Sequence, residues 1–460
     1  MNKLYVSINK LPPLFIVLFC VVSLFIFAFL IVCSAEASGA DKNVSGLEFM
    51  SQSPFCTISR DYSERLISEE KQMACNRYFD EKFFAPWSQD KPVGGVDLLL
   101  WGFRAFSRRK VFGENRQPRS KEWFGVQHDN ASIESFGTLN RKAISVEETD
   151  LRVFPTQDPL FYSFDEPGEG YPFDYLQNST VQPGEPLFVS HISKDGMWAF
   201  VNASTASGWM DIRRLAWISE AQIEEWKKHS LCVVVKDNVP LLDSEGVFYA
   251  LSKVGTILPI SRDRTLADCY EVLIAIRGSG GNALFRSVSL DKKAAVAKPF
   301  PMTKWNAAFI ASQFIGESYG WGGLNLKRDC SATTRDFFTV FGIWLPRNSK
   351  AQGQIGQKID VQNLSVCLKE KRIKEEGIPF RTLATMPGHV MLYIGEYYGM
   401  PVFLHNVWRF RFLEEGKEYS HIVGRAVITP LNPRIKSEKG ELIETRIGER
   451  VSHFVILGDK

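Results

Sequence analysis

A cysteine and a histidine, which together can perform nucleophilic catalysis, occur in the C-terminal part of the chain. Cys330 precedes Phe337 and Phe341, which have the spacing of one buried helical face. This pattern predicts a helix that begins at Cys330, and a helix N-terminus favours negative charge. We therefore expect a lowered pKa for the Cys330 thiol, which would favour the thiolate that attacks carbonyl carbons.

A cysteine nucleophile needs a base, and histidine is the side chain that titrates near neutral pH. His389 opens an alternating pattern that predicts a β-strand, and a turn near Tyr398 leads into a strand that contains His405. A hairpin centred near Tyr397 would place His389 opposite His405 on one face. Cys330, His389 and His405 are therefore candidates for nucleophile, base and orienting residue.

The same residues allow other interpretations. A lone cysteine at a helix start is more often a small core residue than a nucleophile, and a strand histidine usually just forms hydrogen bonds. Cys330, His389 and His405 could also be zinc ligands, although they lack the short paired spacing of typical zinc sites. Spacing alone does not favour a Cys/His enzyme over these alternatives.

The elements that would position these residues fall into several segments of the 460-residue chain. Residues 38–148 are polar and irregular with short helical stretches, and predict an N-terminal cap. Residues 149–218 and 230–295 contain short apolar runs separated by turn residues, which predict two small β-barrels. In residues 299–460 helices precede a run of strands, so an α+β domain is predicted there.

The first 37 residues differ from the rest. Two lysines precede an apolar run at residues 14–33, and a small-x-small sequence ends at Ala37. This order is typical of an export signal cleaved after Ala37, so we predict a periplasmic or envelope-associated protein. The run is also long enough to span a bilayer, which makes an uncleaved membrane anchor an alternative. Cys33 allows a lipoprotein as a third interpretation of this segment.

Charge and cysteine content limit the classes of partner and the chemical state of the thiols. The formal net charge is +3, and no Lys/Arg cluster is dense enough to predict nucleic-acid binding. Neighbouring thiols oxidise outside the cytosol, and Cys56 and Cys75 are the pair closest in sequence, so a disulfide between them is predicted. No cofactor and no resident metal are predicted.

Several short blocks surround the candidate residues. They are Tyr319-Gly320-Trp321-Gly322-Gly323, Asp329-Cys330-Ser331, Gly342-Ile343-Trp344-Leu345-Pro346-Arg347 with Ser349 and Gln352, and Pro387-Gly388-His389-Val390. In this order they resemble the NlpC family of papain-like cysteine peptidases, which act on bacterial cell walls. The resemblance implies a papain-like domain with Cys330 as nucleophile and His389 as base. His405 falls where the family places its third, polar member.

The upstream sequence resembles a multidomain subgroup of this family, with an N-terminal cap and two bacterial SH3-like barrels. The matching segments are residues 149–156 and Asp195-Gly196-Met197-Trp198. Members of the subgroup are γ-D-glutamyl-L-diamino-acid endopeptidases, which cut peptidoglycan stem peptides whose N-terminal L-Ala amine is free. The resemblance implies the same activity for this chain.

The resemblance also implies a substrate pocket. Tyr319, Asp329 and Ser331 would line it at the N-terminal end of the stem peptide, and Asp329 could cap the helix at the same time. Asp174 and Tyr175 are candidates for a contribution from the first barrel. The alternative function is that of a non-catalytic peptidoglycan-binding protein, against which the presence of all three candidate catalytic residues argues.

Overall fold

A computed structural model describes residues 50–58, 61–166, 169–264, 268–436 and 441–458. The predicted export signal at residues 1–37, with its anchor and lipoprotein alternatives, lies outside these ranges. Within them, no helix is long and apolar enough to cross a membrane. Helices and strands occur together along the chain, which confirms the predicted α+β class.

The N-terminal region is helical and contacts parts of the chain that are distant in sequence. Its helices are α1 (Glu69–Phe84), α2 (Asp97–Phe106) and α3 (Lys121–Asn130). The Gln72 amide of α1 donates to the backbone carbonyls of Phe300 and Phe341 at 2.7 and 3.1 Å. Phe103 of α2 stacks on Phe154 with ring centroids 4.1 Å apart. The region therefore joins the C-terminal domain to the first β-domain.

The first β-domain is one antiparallel sheet in the order β3-β2-β6-β5-β4-β1-β7. Its strands are β1 (Arg141–Ser145), β2 (Thr149–Arg152), β3 (Gln177–Val181), β4 (Pro186–Ile192), β5 (Trp198–Asn202), β6 (Ser207–Asp211) and β7 (Leu215–Trp217). The domain begins at β1, before the predicted boundary at residue 149, because β1 pairs with both β4 and β7. Helix α4 (Glu220–Lys227) follows, and a capping box of Ser219 and Gln222 begins it.

The second β-domain contains a five-stranded sheet in the order β13-β12-β11-β8-β14 and a separate β9–β10 pair. Its strands are β8 (Leu231–Val234), β9 (Val239–Leu242), β10 (Phe248–Ser252), β11 (Ile257–Arg264), β12 (Cys269–Arg277), β13 (Ala283–Asp291) and β14 (Ala295–Ala297). Trp226 of α4 is fully buried in its core.

The C-terminal domain packs helices on a sheet in the order β15-β22-β16-β17-β18-β19. Its helices are α5 (Lys304–Ser312), α6 (Cys330–Val340), α7 (Ser349–Gln352), α8 (Val366–Glu376) and α9 (Ile447–Arg450). Its strands are β15 (Gln357–Asp360), β16 (Thr382–Met386), β17 (His389–Tyr397), β18 (Met400–Glu414), β19 (Lys417–Pro430), β20 (Arg434–Lys436), β21 (Leu442–Glu444) and β22 (His453–Ile456). Helix α6 is buried along its whole length and packs against β17 and β18.

Neither Cys56 nor Cys75 forms a disulfide in the described part of the chain, so the predicted disulfide is wrong. Cys56 lies in a 3-10 turn (Pro54–Thr57) that packs against β17. Cys75 lies in α1 and borders an apolar surface cavity with Trp344. The two cysteines therefore contact different parts of the C-terminal domain.

Arg328 joins the second β-domain to the C-terminal domain. Its guanidinium is buried and donates to Asp237, which follows β8, at 2.7 and 2.9 Å. It also donates to Glu317 at 2.9 Å and to Asp336 of α6 at 2.7 Å. This cation therefore neutralises carboxylates from two domains. In the sequence it directly precedes Asp329 and Cys330.

We expect Arg328→Met to lower the free energy of unfolding by about 3–5 kcal/mol, because it leaves buried carboxylates without their shared counter-charge. Urea unfolding would measure the loss. Arg434→Met is the control, since Arg434 is exposed and its 3.1 Å ion pair with Glu444 should contribute less than about 1 kcal/mol. Equal small losses in both variants would contradict the structural role of Arg328.

Candidate active site

Cys330 begins α6, as predicted. The Asp329 side chain caps this helix by accepting a hydrogen bond from the Ala332 N–H at 2.8 Å. The buried thiol lies close to the backbone N–H groups of Val390 and Ser331. The candidate nucleophile is thus held between the helix N-terminus and the start of β17.

The expected lowering of the Cys330 pKa is wrong for this structure. Burial, together with the negative charge of Asp329, raises the pKa of the thiol to about 12. The nearby N–H groups act in the opposite direction, but desolvation of the thiolate outweighs them. The resting thiol is therefore protonated and needs a base to become a nucleophile.

His389 and His405 form a hydrogen-bonded pair. The Nε2 atom of His389 lies 2.8 Å from Nδ1 of His405, whose Nε2 lies 3.0 Å from the Thr429 hydroxyl. Burial, together with the positive charge of Arg450, lowers the pKa of His389 to about 4. Burial also lowers the pKa of His405 well below its usual range. Both rings are therefore neutral at pH 7, so His389 can accept a proton.

The hairpin that carries these histidines differs from the predicted one. Tyr397 pairs with Met400, so the turn lies further along the chain than the predicted centre at Tyr397. Continued without interruption, this register would place His389 and His405 on opposite faces of the sheet, because successive side chains alternate.

A β-bulge at Ile394 restores the shared face. Beyond this extra residue of β17, Tyr393 pairs with Phe403, so the register has shifted by one. A shift of one residue turns every side chain of the strand to the other face. His389 and His405 therefore face the same side, in a diagonal arrangement rather than the directly opposite one predicted.

Two features stabilise this bulge. Gly395 has a φ of +118°, which residues with a side chain rarely adopt. The Thr57 hydroxyl donates to the Ile394 carbonyl at 2.7 Å, which satisfies a carbonyl that the bulge removes from the strand pairing. The N-terminal region thus supports the register of the histidine pair.

Asp329 and Ser331, predicted to bind substrate, lie around a buried arginine. Arg347 donates to both carboxylate oxygens of Asp329 at 3.0 and 2.8 Å and to the Ser331 hydroxyl at 2.9 Å. Asp329 also accepts from the N–H of Gly322 at 3.2 Å. A substrate amine would compete with these donors. Sequence reasoning assigned no role to Arg347, although the residue ends one of the sequence blocks described above.

Tyr319 and His389 line the same cleft, which has a volume of about 380 Å³. The Tyr319 ring lies beside Trp408, with centroids 6.0 Å apart. Burial, and then the negative charges of the Cys330 thiolate form and of Asp329, raise the pKa of Tyr319 well above its usual range. The tyrosine is therefore close to the candidate nucleophile and remains a neutral hydrogen-bonding group.

Of the first-domain candidates, Asp174 does not reach the cleft. It is buried and forms a 2.6 Å ion pair with Arg152, which makes it a structural residue. Tyr175 donates from its hydroxyl to Glu169 at 2.8 Å. The cleft is instead bordered by Phe173, whose ring lies 5.1 Å from that of Trp321. The sequence contained no signal that distinguished Phe173 from its neighbours.

The first β-domain approaches the site through a glycine turn. Gly322 and Gly323 have φ values of +61° and +99°, and a Cβ atom on Gly322 would lie 2.1 Å from the carbonyl oxygen of Gln177 in β3. Only glycine allows this contact. The turn therefore brings Phe173 to the cleft edge. Among the described residues, no group of three His, Cys, Asp or Glu side chains could hold a metal ion.

Residues 316–407, which contain Cys330, His389 and His405, match the sequence profile of the NlpC/P60 family. The C-terminal domain is an NlpC/P60 domain. Residues 19–136 match the N-terminal NLPC_P60 stabilising domain, residues 159–211 an SH3 domain of the SH3b1 type, and residues 219–264 one of the SH3b2 type. The predicted order of cap, two SH3-like domains and NlpC-type domain is confirmed.

A solved structure shares this fold. An NlpC/P60 endopeptidase from Photobacterium damselae subsp. piscicida is similar, with a TM-score of 0.80 and 24% identity, covering 91% of this chain and 99% of that one. An NlpC/P60 family protein from Bacillus cereus ATCC 10987 has a TM-score of 0.44 and 16% identity, covering 68% and 98%. The first comparison supports a shared fold, and the second score is too low to add to it. No curated protein matches the chain.

Within the NlpC/P60 domain, we expect His405→Ala to lower kcat by about 10²–10⁴-fold, because His389 would lose the partner that fixes its ring. His405→Asn should recover part of the loss, since an amide can replace Nδ1 of the imidazole. Steady-state kinetics would measure both variants. His453→Asn is the control, as His453 belongs to β22 and bonds the Ser452 hydroxyl. Unchanged kcat in His405→Ala would exclude an orienting role.

The pH dependence of the NlpC/P60 domain follows from the lowered pKa of His389. An imidazole of ordinary pKa, about 6.5, would be about nine-tenths protonated at pH 5.5. A pKa of about 4 leaves the ring mostly neutral there. We therefore expect kcat/KM at pH 5.5 to stay within about twofold of its value at pH 7. A fall of about tenfold with an inflection near 6.5 would contradict the buried, neutral base.

Proposed function

We propose that this protein is a cell-wall cysteine endopeptidase that hydrolyses the γ-D-glutamyl–diamino acid bond of peptidoglycan stem peptides with a free N-terminal L-Ala. The observation that carries the proposal is the 2.8 Å hydrogen bond between His389 on β17 and His405 on β18, next to Val390, whose backbone N–H approaches the buried Cys330. A neutral thiol beside a neutral, oriented imidazole is the arrangement that allows proton transfer and nucleophilic attack.

In the first half of the reaction, His389 takes the thiol proton and the Cys330 sulfur attacks the γ-carbonyl carbon of D-glutamate. A C–S bond forms, and the carbonyl oxygen becomes an oxyanion. Backbone N–H groups at the start of α6, which have no partners within the helix, would stabilise this charge. The C–N bond then breaks, and the imidazolium of His389 gives its proton to the leaving amine.

In the second half, His389 deprotonates a water molecule that attacks the thioester. The C–S bond breaks, and the proton returns to the Cys330 sulfur. The products are L-Ala-D-Glu and the diamino acid with any residues that follow it. The role of His405 is to hold Nε2 of His389, which leaves Nδ1 of the same ring for these proton transfers.

The narrow cleft supports small peptides as substrates. Phe173 from the first SH3-like domain, Trp321 and Trp408 border it on the side of Tyr319. Such a boundary favours a stem peptide that ends near the nucleophile over one that continues into a glycan strand. Because that substrate lies outside the cytosol, we also propose export directed by residues 1–37, with membrane attachment by residues 14–33 as the alternative.

The proposal is tested with L-Ala-γ-D-Glu-diaminopimelate and its N-acetylated twin, incubated with protein that begins at Ser38. Mass spectrometry should show L-Ala-D-Glu released from the free-amine peptide alone. Equal cleavage of both peptides would overturn the free-amine requirement. Cleavage of neither by folded protein would overturn the endopeptidase and favour a wall-binding protein.

A further inference from the structure

The lining of the cleft carries an excess of positive charge. Four arginines line it together with His389, whereas the acidic residues in the lining are two glutamates. The arginines are Arg409, Arg411, Arg446 and Arg450, and the glutamates are Glu418 and Glu449. All six follow residue 407, where the match to the NlpC/P60 profile ends. The charge therefore lies in the part of the C-terminal domain that follows the matched segment.

The two glutamates are already occupied. Glu418 forms a 3.1 Å ion pair with Arg411, and Glu449 forms a 2.7 Å pair with Arg446. Arg450 has no carboxylate partner within the part of the chain that the structure describes. Its Nη2 donates to the backbone carbonyl of Pro387 at 2.8 Å. Because Pro387 precedes Gly388 and His389, this bond fixes the guanidinium beside the candidate base.

The position of Arg450 identifies the part of a substrate that it would meet. The histidine that deprotonates the nucleophile also protonates the leaving nitrogen, so the leaving group must lie on the histidine side of the scissile bond. Arg450 lies on that side, close enough for its charge to lower the pKa of His389. Asp329 and Ser331 lie with the nucleophile on α6.

We infer that Arg450 binds a carboxylate of the diamino acid that leaves. This inference rests on the proposed function and specifies its leaving-group site. A guanidinium is suited to this role because its planar N–H groups match the geometry of a carboxylate. A leaving residue whose carboxylates are blocked as amides would lose this interaction.

The carboxylate could be the terminal α-carboxylate or the one on the side chain of diaminopimelate. Three peptides, L-Ala-γ-D-Glu-X, separate these sources, with X as diaminopimelate, lysine or lysinamide. We expect the preferred carboxylate to raise kcat/KM by about 5–100-fold, in the range of a charge-assisted hydrogen bond. A preference for lysine over lysinamide identifies the α-carboxylate, and one for diaminopimelate over lysine identifies the side-chain carboxylate.

The test compares the preference ratios of the wild-type protein with those of Arg450→Gln. Glutamine keeps an N–H donor that can face the Pro387 carbonyl, and a disturbance of His389 would lower all three rates together without changing their ratios. We expect the preference ratio to fall toward one in Arg450→Gln and to recover partly in Arg450→Lys. Arg434→Gln, an exposed arginine on β20 outside the cleft lining, should keep the wild-type ratio.

Different results would overturn the carboxylate site and the endopeptidase activity. Wild-type ratios near one, or ratios that Arg450→Gln leaves unchanged, would overturn the carboxylate site while leaving the endopeptidase intact. If the wild-type protein cleaves none of the three peptides, the proposed function fails and the inference fails with it.

Discussion

Replacing Cys330 with alanine should reduce hydrolysis of the free-amine stem peptide by about 10⁶-fold, to the background left by binding alone. The reason is that no other group in the site can form the covalent intermediate: Ser331 lies next in α6, but its hydroxyl donates to Asp329 at 3.1 Å and accepts from Arg347. Product release followed by mass spectrometry would measure the loss.

The structure provides a matched control for this variant. Cys367 is an exposed thiol in α8 and is not among the residues that line the cleft, so Cys367→Ala should keep wild-type activity. Cys330→Ala removes only a sulfur atom at the first position of a helix whose cap, Asp329, remains. Its thermal unfolding should therefore stay close to that of the wild type. Residual activity above about one per cent in folded Cys330→Ala would contradict a nucleophilic role.

Replacing His389 with glutamine should lower kcat/KM by about 10⁴–10⁶-fold at pH 7. Without a base, the only nucleophile is the small fraction of thiolate that bulk hydroxide produces. Because the pKa of Cys330 is about 12, that fraction increases about tenfold with each pH unit up to pH 10. The kcat/KM of the variant relative to that of the wild type should therefore increase steadily over this range, since ionisation of the substrate amine affects both proteins alike.

The shape of the His389→Gln profile tests the buried thiol independently of the size of the loss. A thiol of ordinary pKa, about 8.5, would reach a plateau before pH 10. Such a plateau would contradict the protonated resting state of Cys330, and wild-type activity in the variant would contradict the role of His389. His453→Gln, on β22 of the same sheet, should leave the profile unchanged.

Much of the site could be predicted because its positions depend on local patterns. The helix that begins at Cys330 follows from apolar spacing, and the strands that begin at His389 and contain His405 follow from alternation. The register that puts both histidines on one face does not follow from alternation. It depends on a bulge at Ile394 that is supported by Thr57, a residue more than three hundred positions earlier in the chain.

The features that sequence reasoning missed depend on long-range packing or desolvation. Arg347 binds Asp329 and Ser331 only after α6 is buried, and Phe173 reaches the cleft only because β3 packs on the glycine turn. The pKa of Cys330 was expected to fall on the basis of its helix position. Burial of the thiol, which no local sequence pattern encodes, raises the pKa instead.

The most direct test of the central claim is to identify which cysteine reacts with a substrate-like electrophile. L-Ala-γ-D-Glu bearing a chloromethyl ketone in place of the scissile amide would present its reactive carbon to the nucleophile. We expect complete inactivation with one label on Cys330, located by peptide mass spectrometry, while the exposed Cys367 stays unmodified until the reagent is in large excess. Inactivation without a label on Cys330, or full labelling of Cys330 without loss of activity, would contradict the account.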